Sequence, residues 1–252
     1  MKIDLSGQVI LVTGASRGIG AALTRALGEA GATVAVHYTR SERAATELAQ
    51  AIGQDSAPFQ ADLSQPDAIP ALLAAILQRY GHLDTLVNNA GIAIPQQEDD
   101  DQATFLHAWQ QTLQVNLIAS AHLCHLLVPH FKARGMGRFI HIASRAAFRG
   151  DVPEYLAYAA SKGGMVALHR SLARGYGRDG IKSLLIAPGF VQTEMAQQFI
   201  DEYGEEFLLD DLALDQLTQP ENIAPTVVLM ASGLMDHATG STLDINAGSY
   251  VH

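Results

Sequence analysis

The chain contains 252 residues, of which 48% are hydrophobic and 17% are charged, and its formal net charge is −10. This excess of negative charge repels nucleic acids and anionic membranes, so we expect neither as a partner. The single cysteine, Cys124, cannot form an intrachain disulfide. The apolar run before Thr13 has only four residues, which is too short for a signal-peptide core, and no stretch approaches the length of a membrane span. The composition therefore predicts one cytoplasmic domain over residues 1–252.

Strand-like and helix-like patterns alternate along the whole chain, which is typical of an α/β fold with a parallel sheet. The predicted strands are residues 9–12, 33–38, 57–60, 83–87, 138–143, 181–187 and 242–246. The predicted helices are residues 18–30, 41–51, 66–80, a continuous stretch from about 101 to 134, 155–176 and 221–230. We therefore expect a doubly wound domain with a mostly parallel seven-stranded sheet flanked by helices.

A glycine-rich turn, TGASRGIG, follows the first strand and opens the first helix. Gly14 stands where the strand ends and the chain turns sharply, while Gly18 and Gly20 lie at the start of the helix. The missing side chains allow a phosphate to approach the helix N-terminus and the helix to approach the sheet. The spacing G-x-x-x-G-x-G departs from the common G-x-G-x-x-G pattern. Its placement between a strand and a helix nevertheless predicts a dinucleotide site.

In a dinucleotide fold, the end of the second strand meets the adenosine ribose. No carboxylate occurs from His37 through Ser41 to accept a hydrogen bond from a 2′-hydroxyl, but Arg40 lies there and Arg17 lies in the glycine-rich turn. Two guanidinium groups that converge on a 2′-phosphate favour NADP(H). Two solvated surface arginines are the alternative, which leaves NAD(H) open. Asp62, just past the third strand, either binds the adenine amino group or is a turn residue.

Several strand ends carry small or polar residues, and the carboxyl ends of parallel strands face one crevice. These residues are Gly14, Asn88, Ser144 and Pro188. Tyr158 and Lys162 share one face of a predicted helix, where the ammonium group lowers the pKa of the phenol from about 10. Such a tyrosine serves as a general acid or base, a serine hydroxyl binds a carbonyl oxygen, and an asparagine can hold a relay water.

These motifs resemble those of the classical short-chain dehydrogenase/reductase family. TGASRGIG fits the cofactor motif TGxxxGxG, NNAG at 88–91 fits the family's structural motif, and APGFVQT at 187–193 fits the stretch that contacts the nicotinamide. YAASK at 158–162 fits YxxxK, with Ser144 fourteen positions upstream. The resemblance covers nearly the whole chain, is greatest to members of the 3-oxoacyl-[acyl-carrier-protein] reductase type, and implies a Rossmann-type fold.

The resemblance also implies roles for individual residues. Tyr158 is the general acid or base, Lys162 lowers its pKa and binds the nicotinamide ribose, and Ser144 orients the carbonyl. Asn116 completes the proton relay. The full set of expected cofactor-binding residues is Gly14, Ser16, Arg17, Gly18, Ile19, Gly20, Tyr38, Arg40, Asp62, Leu63, Asn89, Ala90, Gly91, Tyr158, Lys162, Pro188, Gly189, Val191 and Thr193.

The expected activity is hydride transfer between NADP(H) and a small carbonyl or secondary alcohol. The substrate is a 3-oxoacyl thioester or, alternatively, another small ketone, sugar or polyol. A non-catalytic cofactor-binding scaffold is the third reading, and the presence of all four catalytic residues argues against it. An acyl-carrier protein would need a basic dock, and the candidates for it are Lys132, Arg134, Arg170, Arg174 and Arg178. Solvated arginines are the simpler interpretation.

Residues from about 190 to 219 lose strand character and are rich in carboxylates, which predicts a mobile helical lid. The carboxylates are Asp201, Glu202, Glu205, Glu206, Asp210, Asp211 and Asp215. Arg145 and Arg149 beside Ser144 are candidates to bind a substrate anion, whereas the acidic lid favours a substrate with an uncharged end.

The resemblance implies a homotetramer or homodimer. Residues 244–248, DINAG, replace the family's frequent aspartate and double glycine, and this departure touches the interface at the C-terminal strand. His122, His125 and His130 lack a carboxylate or thiolate partner set, and we expect no metal site.

Overall fold

The structure is a computed structural model that describes residues 2–251. The side chains at positions 195, 198, 201–203, 205 and 207 are not part of the description. Three carboxylates of the predicted lid, Asp201, Glu202 and Glu205, therefore lie outside the described residues.

Seven strands in the described chain form one sheet in the order β3-β2-β1-β4-β5-β6-β7. They are β1 (Val9–Val12), β2 (Thr33–Tyr38), β3 (Ala57–Gln60), β4 (Thr85–Asn88), β5 (Gly137–Ile142), β6 (Ile181–Pro188) and β7 (Thr242–Ile245). Every pair of neighbouring strands is parallel, where a mostly parallel sheet was predicted. The order reverses between β1 and β4, and a doubly wound sheet has its ligand crevice at the carboxyl ends of such strands. The predicted fold class is confirmed.

The strands are connected by helices that cover both faces of the sheet. They are α1 (Gly18–Glu29), α2 (Glu42–Ile52), α3 (Ala68–Tyr80), α4 (Gln102–Leu113), α5 (Ala119–Arg134), α6 (Ala146–Arg149), α7 (Leu156–Tyr176), α8 (Glu194–Tyr203), α9 (Glu205–Leu209) and α10 (Pro220–Ala231). Among the described residues, no helix is both long and apolar enough to cross a bilayer.

Strand β1 shows why the sheet is buried on both sides. Its four residues, VILV, are all buried, as expected for a parallel strand with helices on each face. Ile10 and Val12 pack in one core with Leu23 of α1, whereas Val9 and Leu11 face a second core that contains residues of α3 and α5. The side-chain period of two along the strand thus divides one apolar run between two cores.

The continuous helix predicted from about 101 to 134 is wrong in one respect. A π-helical turn, Gln114–Ile118, separates α4 from α5, and a bulge of this kind is frequent at functional sites. The turn brings Asn116 into the interior, where it is fully buried. Apolar periodicity does not reveal a single wider turn, because the flanking helices keep the same pattern.

Because two histidines are buried in their neutral form, we expect the protein to lose stability below neutral pH. His37 on β2 and His141 on β5 are almost fully buried, and burial lowers their pKa values to about 4 and about 3. In the unfolded chain both would titrate near the ordinary pKa of about 6.5, so acidification favours unfolding. The stability contribution is complete above pH 6.5 and is lost as the pH falls toward 4. Urea unfolding should show a loss on the order of 1 kcal/mol per histidine between about pH 7.5 and 5.5.

A matched pair of variants separates this effect from a general response to acid. His141→Gln removes a buried titrating group and should reduce the pH dependence of the free energy of unfolding. His125→Gln changes an exposed histidine of α5 and should leave that dependence as it is in the wild type. An undiminished pH dependence in His141→Gln would contradict the assignment.

A methyl group added at Gly20 should destabilise the glycine-rich turn. A Cβ there would lie 2.2 Å from the carbonyl oxygen of Gly14 and 2.6 Å from Nδ2 of Asn89. Both neighbours would have to shift, and forcing atoms into a packed site typically costs about 1–3 kcal/mol. Gly20→Ala should therefore lower the free energy of unfolding by that amount and weaken dinucleotide binding, measured by urea unfolding and by cofactor fluorescence.

Gly175→Ala is the control for this substitution. Gly175 lies inside α7, and within the described chain a Cβ at this position meets no atom closer than 4 Å. Alanine is the better helix former, so this variant should gain about 0.5–1 kcal/mol. Equal effects of the two substitutions would show that the close approach at Gly20 is not a constraint.

Candidate active site

The glycine-rich turn is held by the end of β4. Gly14 has a positive φ of +62°, which favours glycine. The Thr13 hydroxyl accepts hydrogen bonds from the backbone N–H groups of Asn89 and Ala90, at 2.9 and 3.0 Å. The amide of Asn89 in turn donates to the carbonyl oxygens of Thr13 and Gly14, at 2.8 and 3.1 Å. Both amide hydrogens of Asn89 thus serve the turn itself, and its expected contact with the cofactor stays a prediction.

His37 also fixes this turn, and the sequence analysis did not identify it. Its Nδ1 accepts from the backbone N–H of Gly14 at 2.9 Å, and its Nε2 lies 3.1 Å from the carbonyl oxygen of Ala61. Burial lowers its pKa to about 4, so the ring is neutral, with a proton on Nε2. A lone polar residue inside the apolar strand TVAVHY was the available signal.

The residues around the start of α1 fit a dinucleotide. The described side chains form no hydrogen bond that caps this helix, and its first turn contains no acidic residue. Its free N–H groups therefore suit a phosphate. A Cβ at Gly18 would lie 3.3 Å from Cγ2 of Thr193, so the missing side chain keeps a passage between the turn and the start of α8. Ile19, Asn89, Gly91, Ile142, Ala143, Tyr158 and Lys162 line an adjoining cavity of about 90 Å³.

The two arginines predicted to hold a 2′-phosphate, Arg17 and Arg40, both lie at the surface, and their convergence on a phosphate stays a prediction. Arg17 is paired with a carboxylate, since its Nη1 lies 2.5 Å from Oε2 of Glu194 on α8. Arg40 and Asp62 are exposed, and Asp62 accepts a hydrogen bond from the N–H of Ser64 at 2.9 Å, as a turn residue does. Among the other predicted cofactor residues, Ser16 is partly exposed and Tyr38 and Leu63 pack in the cores.

Three predicted catalytic residues meet at the carboxyl end of β5. Ser144 follows this strand, and its hydroxyl accepts from the N–H of Ala146 at 3.1 Å and hydrogen-bonds the Tyr158 phenol. Lys162 lies one helical turn beyond Tyr158 on α7, with Nζ 5.6 Å from the centre of the tyrosine ring. The same Nζ donates to the carbonyl oxygen of Ile142 at 2.9 Å.

The predicted lowering of the Tyr158 pKa by Lys162 is not what this arrangement produces. Removal from water raises the pKa of Tyr158 to about 12, although the hydrogen bond from Ser144 opposes this. Burial lowers the pKa of Lys162 to about 8. Both pKa values shift because a low-dielectric site disfavours the charged form of each group. At neutral pH the phenol therefore keeps its proton, and most of the lysine remains charged.

Asn116 lies behind this group and is anchored through its side chain. Its Oδ1 accepts from the N–H of Ile92 at 2.8 Å, and its Nδ2 donates to the carbonyl oxygen of Ile92 and the hydroxyl of Ser161, both at 2.9 Å. One lone pair of Oδ1 remains for a water. A Cβ at Gly91 would lie 3.4 Å from both this Oδ1 and Nζ of Lys162, so glycine leaves an opening between them. Ser161, within YAASK, is a further residue that the sequence analysis missed.

A cavity of about 700 Å³ adjoins the catalytic residues. Ser144 and Tyr158 line it together with five predicted cofactor residues, Ile19, Pro188, Gly189, Val191 and Thr193. Apolar side chains such as Val152 and Phe190 form part of its wall, and Arg145, Arg149 and Asp211 form a charged part. The predicted lid segment thus lies against the residues that follow Ser144, where Asp211 contacts Arg145 and Arg149.

Comparisons with known proteins agree with this geometry. A model of the family described as short chain dehydrogenase matches residues 8–204. The chain is 33% identical to 3beta-hydroxysteroid dehydrogenase 1 from Eggerthella lenta, over 98% of this chain and 95% of that protein. It is 31% identical to a 3-oxoacyl-[acyl-carrier-protein] reductase from Vibrio cholerae, over 99% of this chain and 100% of that protein.

A solved structure of another reductase has the same fold as this chain. The NADPH-dependent 3-quinuclidinone reductase from Rhodotorula rubra is 30% identical, with a TM-score of 0.90 over 98% of this chain and 93% of that chain. The family match extends from before the glycine-rich turn to beyond Thr193, and so includes every predicted catalytic and cofactor-binding residue. The chain therefore belongs to the short-chain dehydrogenase/reductase family and is an oxidoreductase that acts on alcohol or carbonyl groups.

Proposed function

We propose that this protein is an NADP(H)-dependent carbonyl reductase or alcohol dehydrogenase in which Tyr158 is the general acid or base. One observation carries the proposal: Tyr158 lines both the 700 Å³ cavity and the smaller cavity beside the glycine-rich turn. A substrate in the large cavity and a nicotinamide near the smaller one would meet at this residue. When bound, the cofactor supplies or accepts the hydride.

The protein groups then handle the oxygen and its proton. In reduction, the Ser144 hydroxyl donates a hydrogen bond to the substrate carbonyl oxygen and orients it. Tyr158 is protonated at neutral pH and gives its proton to this oxygen as negative charge develops there. The ammonium group of Lys162 stabilises the phenolate that is left. A water in the opening at Gly91, held by Asn116, would return a proton through Lys162.

The substrate class is a second part of the proposal. The relatives are named for 3-oxoacyl thioesters, a steroid and 3-quinuclidinone, so 3-oxoacyl thioester reduction and reduction of another small ketone both remain proposals, as do sugars and polyols. In the carrier-protein dock suggested by the sequence, Lys132 and Arg134 are already paired with Asp179 and Asp84. Arg170, Arg174 and Arg178 are exposed, which suits a dock and a solvated surface equally.

We also propose that the whole chain is one catalytic unit with a lid at about residues 190–219. It would work in the cytoplasm as a homotetramer or homodimer. Exposed apolar side chains support association: Ile118 beside α5 and Leu156 at the start of α7 are each about half exposed, at 50% and 51%. In water, such apolar groups gain from being covered by a second copy.

Removing the Tyr158 hydroxyl should abolish most of the activity. Tyr158→Phe keeps the ring and loses the proton donor, and general acid catalysis typically contributes about 10²–10⁴-fold. We expect kcat/KM to fall by at least about 100-fold while NADPH still binds. The assay follows NADPH oxidation optically with an acetoacetyl thioester and a panel of small ketones.

Tyr176→Phe, on the same helix but outside the cavity, is the matched control and should stay active. Retention of more than a tenth of the activity in Tyr158→Phe would refute the role of this residue. NADPH binding without turnover of any carbonyl by the wild type would instead support the scaffold reading.

The cofactor preference makes a second prediction. Arg40 is exposed and lies just after the end of β2, where a dinucleotide fold would place the 2′-phosphate of NADP(H). Arg40→Ala should raise KM for NADPH by about tenfold and leave KM for NADH nearly unchanged, because one charge-assisted contact to the phosphate is lost. Arg43→Ala, three residues on and paired with Glu47, is the control. If Arg40→Ala alters both cofactors equally, the arginine does not recognise the 2′-phosphate.

A further inference from the structure

An ion cluster lies next to the catalytic serine, inside the large cavity. Arg145 directly follows Ser144, is only 8% exposed, and has its Nη1 2.5 Å from Oδ2 of Asp211. Nη1 of Arg149 hydrogen-bonds the same carboxylate oxygen. Asp211 belongs to the lid segment, so this contact joins two parts of the chain that are 66 residues apart.

The two guanidinium groups are held in place by more than the ion pairs. The plane of Arg145 lies over the ring of Phe190, with Cζ 4.6 Å from the ring centre, and its backbone N–H donates to the carbonyl oxygen of Pro188 at 2.9 Å. Arg149 also reaches the carbonyl oxygen of Ser249 at 3.4 Å. Arg145 is therefore a fixed part of the wall, whereas Arg149 lies at its rim with a side chain that is 40% exposed.

The charge of this pair is already compensated. Burial alone would raise the pKa of Asp211, but hydrogen bonds from Arg149 and Arg145 outweigh it and hold the pKa below its ordinary value. Asp211 is therefore ionised at neutral pH. Asp151 and Asp210 line the same cavity, so its lining residues contain three aspartates and two arginines. Nothing in this balance offers net positive charge to a substrate.

From this we propose that Asp211 is a specificity-determining residue, which makes the pocket select uncharged carbonyl substrates and reject those that carry a carboxylate near the reacting carbon. The proposal rests on the proposed function and names its substrate class. An anionic substrate would have to displace Asp211 from both arginines and leave that carboxylate unpaired, or lie beside it with its own charge uncompensated. Either arrangement discriminates against the anion.

The rest of the wall is consistent with an uncharged substrate. Val152, Phe190 and Val191 line the cavity on its apolar side, and Ser144 and Tyr158 supply the polar groups that hold one carbonyl oxygen. Few polar groups in a mainly apolar cavity are typical of sites that orient a neutral molecule. Arg145 packs against Phe190, and Asp211 compensates the charge of both arginines.

The test compares acetoacetate with methyl acetoacetate, which present the same ketone with and without a charge. The wild type should reduce the ester with a kcat/KM at least tenfold above that of the acid. Asp211→Asn exposes the arginine pair and should narrow this ratio at least tenfold, chiefly through a lower KM for the acid. Asp211→Glu keeps the charge and should retain the preference. Asp215→Asn, an exposed lid residue outside the cavity, makes the same charge change and should leave the ratio unaltered.

Three outcomes overturn the proposal. A wild-type preference for acetoacetate would mean that the arginines bind a substrate carboxylate. Asp211 would then only occupy their anion site until the substrate binds. Equal shifts in Asp211→Asn and Asp215→Asn would reveal a general charge effect. An equal change for acid and ester in Asp211→Asn would reveal a structural role of the lid.

A binding measurement separates this proposal from the proposed function. Both compounds are titrated calorimetrically into wild-type and Asp211→Asn protein in the presence of NADP⁺, where no reduction occurs. Binding of the ester without turnover in the NADPH assay would refute the carbonyl-reductase function and still test the acid-to-ester ratio. Absence of binding by the ester would overturn the selectivity proposal itself.

Discussion

The close approach of helix α1 to the ends of β1 and β4 is the constraint on which the candidate site depends. At Gly20 any side chain would collide with the carbonyl oxygen of Gly14, so this packing exists only with glycine. The carbonyl groups of Thr13 and Gly14 would lack partners in this partly buried place, and the Asn89 amide satisfies both. The same contact fixes the chain that continues to Gly91, next to Asn116 and Lys162. The glycine-rich turn and the residues predicted to handle the proton are thereby held as one unit.

Burial sets the electrostatics of the catalytic residues. It raises the pKa of Tyr158 and lowers that of Lys162, so each group is pushed toward its neutral form. A protonated phenol is the form that carbonyl reduction needs, whereas alcohol oxidation needs the phenolate. Under the proposed function, Tyr158 therefore holds at neutral pH the proton that it would donate in reduction. The lysine remains in the core because the carbonyl oxygen of Ile142 accepts one of its hydrogens, and two more remain for the phenolate and a ligand.

The sequence predicted what is local and missed what depends on distant contacts. Strands β1, β2 and β3 coincide with their predicted ranges, and Ser144, Tyr158 and Lys162 come together as motif spacing indicated. The π-helical turn at Asn116 was not predicted, because the apolar periodicity of the two flanking helices continues across it. The pKa of Tyr158 is raised, although the sequence predicted a lowered value. Burial causes the rise, and it depends on the packing of whole helices rather than on the local sequence. Pairs such as Arg145 with Asp211 join residues far apart in the chain, where no local pattern records them.

The lid contacts the site through two ion pairs of different character. At its start, Glu194 pairs with Arg17, and both side chains are largely exposed, at 74% and 72%. Exposed ion pairs contribute little to stability, so under the proposed function a cofactor phosphate would replace Glu194 on Arg17 at small cost. At the other end, Arg145 is buried and shares Asp211 with Arg149, and breaking such a pair leaves an uncompensated charge. Under the two proposals above, the same segment would yield Arg17 to a cofactor phosphate at one end and keep Asp211 against a substrate anion at the other.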